Sequence, residues 1–234
     1  MRKEEIKAVF DSQAAGYDKQ WERMSPVRDG LYFLLGAVFS ELPKDARILC
    51  VGAGTGIELS YLAKHFPAWR FTAVEPSGPM LDVCRQRARD EGFSSRCHFH
   101  EGYLDSLPAD GLYDGATCFL VSQFILDRDE RVRFFRGIAD RLVAGGILAS
   151  SDLASDVESN SYPDLLRVWI NLMSSSGVQP EVLEKTRAAY AKDVGILPAA
   201  QIASLIEAAG FASSTQFYQA GLMHAWYSRR AANA

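Results

Sequence analysis

Apolar residues gather in five short runs, 47–51, 70–74, 96–100, 114–119 and 146–151. Between them lie stretches 57–66, 77–90 and 129–142, where apolar positions recur at helical spacing. Strands alternating with helices predict a parallel sheet with right-handed crossovers. Ligands of such sheets sit beyond the carboxyl ends of the strands. Upstream, residues 3 to about 21 read as a polar helix with Ile6, Val9, Phe10 and Ala14 on one stripe. Pro26 opens a second helical stretch that runs to residue 42 and is stopped by Pro43. Downstream, residues 150–161 are rich in Ser, Asp and Asn and read as a loop, and 162–193 carry Tyr162, Leu165, Leu166, Trp169, Met173 and Tyr190 as a helical cover. A helix over 198–209 has Pro in its first turn and Gly210 after its end. Residues 214–218 and 224–229 then read as two strands.

The first run ends in Gly52-Ala53-Gly54-Thr55-Gly56 and enters a helical pattern at Ile57. Glycines spaced two apart let main-chain N–H groups approach a ligand at a helix N-terminus. The second run ends in Glu75, nineteen residues after Gly56, where a carboxylate can hold ribose hydroxyls. A dinucleotide fingerprint requires a small residue three positions past Gly54, and Ile57 stands there. A nucleotide-like cofactor without that pyrophosphate geometry is expected.

This glycine spacing, the acid closing the second strand and the following Pro76-Ser77-Gly78-Pro79-Met80-Leu81 together resemble the class I S-adenosylmethionine-dependent methyltransferases. Further landmarks follow in order: Glu101-Gly102-Tyr103-Leu104 after the third strand, 113–119 as the fourth, and 142–148 before the fifth. The resemblance spans roughly residues 10 to 230. It implies a Rossmann-like, doubly wound, mostly parallel seven-stranded α/β sheet, closed by an antiparallel C-terminal hairpin and covered by an N-terminal helical lid. It also implies S-adenosylmethionine as cofactor and S-adenosylhomocysteine as product. Gly52, Ala53 and Gly54 would line the methionyl moiety, Glu75 with Pro76 the ribose, Met80 the adenine, and Gly102, Tyr103 and Leu104 the adenine edge. Phe119 would lie under the cofactor, and Tyr17 belongs to a segment that resembles the lid. Two positions depart from the family pattern: Cys50, where an acid is usual, and Tyr103, where Asp is usual.

At 234 residues with 48% hydrophobic content, the chain suits a single domain. Its parts would be lid helices over 1–42, a cofactor-binding core over 46–152, a substrate cover over 153–195, and a last helix with hairpin over 196–234. A net charge of −4 gives no global reason to bind nucleic acid. Cysteines 50, 84, 97 and 118 show no C-x-x-C spacing, which fits a reducing cytoplasm. No apolar run approaches the ~20 residues of a membrane-spanning helix.

Methyl transfer depends chiefly on aligning the acceptor with the methyl group and sulfur, so a dedicated base is optional. His224 near the final strand and Asp152 after the fifth are the candidates for one. Tyr162, Trp169, Tyr190, Tyr218 and His224, with Arg187, are the candidate pocket for a small-molecule acceptor. His98 and His100 share a strand face without a third ligand, so no metal is expected. Arg85, Arg87 and Arg89 read as a solvated helix face. Two alternatives stay open. Arg187 falls where the resembling carboxy-S-adenosylmethionine synthases hold an added carboxylate, and the Cys50 and Tyr103 departures suit a non-catalytic cofactor binder.

Overall fold

The computed structural model describes residues 3–174 and 180–232; residues 175–179 of the expected substrate cover lie outside it. In chain order the elements are α1 (Lys3–Gln13), α2 (Tyr17–Gln20), α3 (Ser25–Val38), β1 (Arg47–Val51), α4 (Ile57–His65), β2 (Arg70–Glu75), α5 (Gly78–Asp90) and β3 (Cys97–Glu101). They continue with β4 (Tyr113–Phe119), α6 (Arg128–Ala139), β5 (Leu142–Leu153), α7 (Tyr162–Met173), α8 (Pro180–Asp193), α9 (Ala199–Ala208), β6 (Phe211–Ala220) and β7 (Met223–Arg230).

The sheet runs β3-β2-β1-β4-β5-β7-β6. Its first five strands are parallel, and β7 is antiparallel to both β5 and β6. Strand order reverses between β1 and β4, which opens a crevice at their carboxyl ends. The register pairs Val51 with Val74, Cys50 with Thr117 and Glu75 with Glu101, so the ends that carry the motifs share one edge.

Two apolar layers sandwich the sheet. Leu31 and Leu35 of α3, Leu59 and Leu62 of α4, Leu81 of α5 and Leu166 and Trp169 of α7 cover one face. Phe135 and Ile138 of α6 with Ile202 and Ile206 of α9 cover the other. Side chains on a strand alternate between these layers. Helix starts are set locally: the Ser77 side chain accepts from the Met80 N–H at 3.3 Å, and Asp127 accepts from the Glu130 N–H at 2.8 Å.

Several boundaries differ from the sequence reading, among them the end of α3, which stops at Val38 and not at residue 42, and the start of β6, which is Phe211 and not residue 214. Leu142 opens β5 instead of closing a helix, and β5 continues to Leu153 because β7 pairs along it from Ile147 to Leu153. Residues 150–153 are therefore strand, and the loop begins later. The first helix breaks at a 3-10 turn over Ala14–Gly16, which turns the chain so that α2 folds over the crevice. Among the described residues no helix is long and apolar enough to cross a membrane.

Candidate cofactor-binding site

The turn after β1 is held from one side by main chain and from the other by a carboxylate. The Gly52 and Ala53 N–H groups both donate to the Val74 carbonyl, at 2.8 and 3.1 Å. The Gly54 N–H donates to Glu75 Oε2 at 3.0 Å, and the Ser77 N–H to Glu75 Oε1 at 2.9 Å. One side chain thus clamps the glycine turn to the start of α5. Burial pushes the Glu75 carboxyl upward, and the two N–H donors oppose that rise. Each oxygen keeps a lone pair for a ligand hydroxyl.

Gly52 has φ +72°, and a Cβ there would lie 2.3 Å from Cγ2 of Val121, so this glycine serves close packing against the chain after β4. Gly54 has φ +54° and open space where its side chain would be. An open glycine beside a buried acceptor carboxylate fits the ribose and methionyl portions of S-adenosylmethionine. Met80, Leu104 and Ala53 are buried, and Pro76, Gly102, Tyr103 and Phe119 are half-buried around the same edge. The Gly102 N–H donates to the Glu75 carbonyl at 3.1 Å. Tyr103 instead reaches the lid: its hydroxyl donates to the Lys3 carbonyl at 3.1 Å, and Lys3 Nζ lies 5.2 Å from its ring centroid.

The lid closes through aromatic contacts and a latch. Phe10 meets Phe124 edge-on at 5.8 Å, and Tyr17 lies 6.3 Å from Phe10 and 6.2 Å from Trp21. Asp18 accepts from the Thr55 hydroxyl at 2.6 Å and pairs with Arg87, whose Nε donates to the Thr55 carbonyl at 2.9 Å. Arg87 therefore does not belong to a solvated face. It ties α2 to the glycine turn. Burial raises the Tyr17 phenol to about 12, which keeps it neutral.

The pocket candidates separate into two groups. Tyr162 and Trp169 are buried on α7, and Trp169 Nε1 donates to the Tyr190 hydroxyl of α8 at 3.2 Å, so these three come together. Arg187 is exposed on α8, close enough to oppose the burial-driven rise of the Tyr162 phenol. Tyr218 donates its hydroxyl to the Val27 carbonyl at 2.7 Å and packs on Gly30, which corrects its reading as a substrate contact: it ties β6 to α3.

His224 and Asp152 are corrected as well. They pair directly across β7 and β5, on the face where Trp226 packs among the residues of α6 and α9. His224 bonds Gln216 Oε1 at 3.1 Å, and burial lowers its pKa. Asp152 is fully buried, 3.0 Å from Arg131 Nη2 and accepting from the Ser122 hydroxyl at 2.7 Å. Burial raises its carboxyl, and the Arg131 charge opposes the rise. Arg131 also donates to Ser122 Oγ and to the Gly195 carbonyl, both at 2.9 Å, and Gln123 Oε1 accepts from the Leu153 N–H at 2.9 Å. This network holds the segment after β4, where Leu120 sits at φ +56°, uncommon for a branched residue. Asp152 is thus a positioning residue, turned away from the aromatic cover.

Glu58 is a buried carboxyl that motif reading passed over. It accepts from the Thr117 hydroxyl and is within hydrogen-bonding reach of Cys50, and burial raises it to about 7. His98 is exposed, and His100 bonds Ser106 at 2.9 Å. Among the described residues no cluster of His, Cys, Asp and Glu could hold a metal.

Sheet order and antiparallel final strands are those of the Rossmann-like fold of class I S-adenosylmethionine-dependent methyltransferases, and the carboxylate-clamped glycine turn lies at the carboxyl ends of its strands. Residues 48–146 match a family model described as a methyltransferase domain. A crystal structure of a candidate O-methyltransferase from Nostoc punctiforme superposes with a TM-score of 0.67 at 18% identity, covering 95% of this chain and 60% of that one. The [4+2]-cyclase SpnF superposes at 0.63 and 18% identity, covering 87% and 80%. An uncharacterised Synechococcus protein is 35% identical over 103 residues, 44% of this chain and 24% of its own length. The chain thus spans about a quarter of that curated relative.

Proposed function

We propose that this domain transfers the methyl group of S-adenosylmethionine to a small-molecule acceptor. The observation that carries the reading is the Glu75 clamp on Gly54 and Ser77 lying under a latched aromatic lid. When bound, the cofactor supplies an electrophilic methyl group. The chain's own part is to bind and orient. Glu75 receives ribose hydroxyls, the open side of Gly54 admits the methionyl end, and the Phe10, Tyr17 and Trp21 rings exclude water. Tyr17 stays neutral, and Asp152 and His224 face the other layer, so the reading assigns no general base among the described residues and favours an acceptor that is nucleophilic without one. The four cysteines are free thiols, in keeping with a reducing compartment such as the cytoplasm.

Alignment in a closed, dry site would then supply the acceleration. SpnF is a cyclase on this fold, so cofactor binding and methyl transfer need separate tests. Native mass spectrometry of the purified chain should show a bound mass equal to S-adenosylmethionine or S-adenosylhomocysteine. Titration calorimetry should then show the affinity reduced by Gly54→Val and, less, by Glu75→Gln. A chain that stays bare after either ligand is added overturns the proposal.

A further inference from the structure

Glu58 is a buried acid with no cation beside it. It stands in the first turn of α4, just beyond the glycine turn, and is 7% exposed. One of its oxygens accepts from the Thr117 hydroxyl of β4, and the Cys50 thiol of β1 lies within reach. Neither neighbour carries positive charge, although buried carboxylates are ordinarily paired. Among the described residues the nearby arginines are engaged elsewhere: Arg28 with Asp29, Arg87 with Asp18, and Arg131 with Asp152.

The strands fix where this carboxyl lies. Cys50 and Thr117 pair across β1 and β4, two residues before Gly52 and two before Phe119 respectively. Two residues of strand span about 7 Å, so the carboxyl sits one strand repeat beneath the turn and the ring that would receive the methionyl end. Its wall is aromatic: Tyr32 of α3 lies 6.1 Å from Phe119 and 5.6 Å from Tyr61. Burial, then the Glu58 charge, raises the Tyr32 phenol, and Tyr17 of the lid adds to that rise, so carboxyl and lid flank the same ring. In such surroundings a charge is felt well beyond contact distance. The small Cys50 thiol leaves room for the carboxyl, whereas an acid on β1 would set two like charges together.

We infer that Glu58 is the counter-charge to the sulfonium of S-adenosylmethionine, acting through space from α4 to favour the cationic cofactor over the neutral thioether left after methyl transfer. This rests on the methyltransferase reading above. Glu58 touches no reacting atom, so it sets specificity and is not a catalytic residue. Burial raises its carboxyl to about 7, and a cation above it draws the proton off to solvent. Once the methyl group has left, the anion has no partner, the proton returns, and product is held less tightly than substrate. The preference is therefore present above about pH 7 and lost as pH falls through it. The other titratable groups around Glu58 stay neutral in this range, because burial raises the thiols of Cys50, Cys84 on α5 and Cys118 on β4, and the Tyr32 phenol. Beyond them stand Glu75, which shares Cys84 as a neighbour, and His65, stacked on Tyr61 farther along α4.

Titration calorimetry of the full chain with S-adenosylmethionine and with S-adenosylhomocysteine, between pH 5.5 and 7.5, tests this. The two ligands differ only in the sulfonium methyl, so their affinity ratio reports on that charge. In the wild type the ratio should move toward S-adenosylmethionine by about fivefold as pH rises across the range. Heats compared in phosphate and imidazole buffers near neutrality should show protons released by S-adenosylmethionine in excess of those released by S-adenosylhomocysteine. Glu58→Gln keeps the shape of the protonated side chain and should abolish both the slope and the excess. If both ligands bind the wild type with a ratio independent of pH and no excess proton, the role of Glu58 is overturned and the cofactor reading stands; this outcome needs no variant. A slope that survives Glu58→Gln belongs to Glu75 or His65 and overturns it equally. If neither ligand binds the wild type, the methyltransferase reading falls and this inference falls with it.

Discussion

Glu58 shows how far a single environment can move a side chain's chemistry. Its carboxyl titrates at about 7 in the fold against 4.5 when free, because it is buried between Thr117 and Cys50. Between those values the folded chain holds a proton that the unfolded chain has released, so stability falls as pH rises from 4.5 to 7. The loss is on the order of 3 kcal/mol. Glu58→Gln should therefore flatten urea midpoints measured at pH 5 and pH 7.5, whereas the wild type should be the more stable at pH 5. At Gly52 the constraint is steric. Gly52→Ala must hold φ +72° and clash with Val121, so a loss of about 2–3 kcal/mol is expected in urea melts. Val121→Ala in the same chain should relieve the clash and leave about 1 kcal/mol of backbone strain. The glycines and Glu75 were legible in sequence because their roles are backbone roles at strand ends. Glu58 was not, since its partners Cys50 and Thr117 come from two different strands and meet it only in the folded sheet.

At the level of elements, the lid hangs on a latch whose parts come from three places: Asp18 on α2, Thr55 in the glycine turn and Arg87 on α5. The ion pair is partly exposed, so Arg87→Ala should cost about 0.5–1 kcal/mol of lid closure, roughly a twofold to fivefold loss of cofactor affinity. Amide exchange should quicken across residues 3–24 while the rest of the chain keeps its protection. Uniform loss of protection would instead make Arg87 a general stabiliser. The alternation of strands and helices was readable because each apolar run reports on burial in a parallel sheet. What escaped the reading was face. Asp152 and His224 belong to the right end of the sheet, and only the β5–β7 register shows that they turn toward α6 and α9. Arg131 carried a faint signal, a charge on the apolar stripe with Phe135 and Ile138, where a buried cation requires a partner.

For the molecule as a whole, the Arg131–Asp152 pair joins α6, β5 and the segment after β4 at a point where both side chains are essentially without solvent. Arg131→Ala leaves Asp152 charged and alone, so unfolding free energy should drop by about 3–5 kcal/mol in denaturant melts. Replacing both members with apolar residues should cost much less, and an equal loss would show that packing and not charge is at stake. The sheet order carries a further consequence for the birth of the protein. The strand that lies between β5 and β6 is β7, the last to leave the ribosome of all sixteen helices and strands described here. Until residues 223–230 emerge, the edge of β5 from Ile147 to Leu153 has no covering strand. For that interval the nascent chain presents a bare strand edge, with its backbone N–H and C=O groups unpaired, to any neighbour, and it is then that a cell must shield it from self-association.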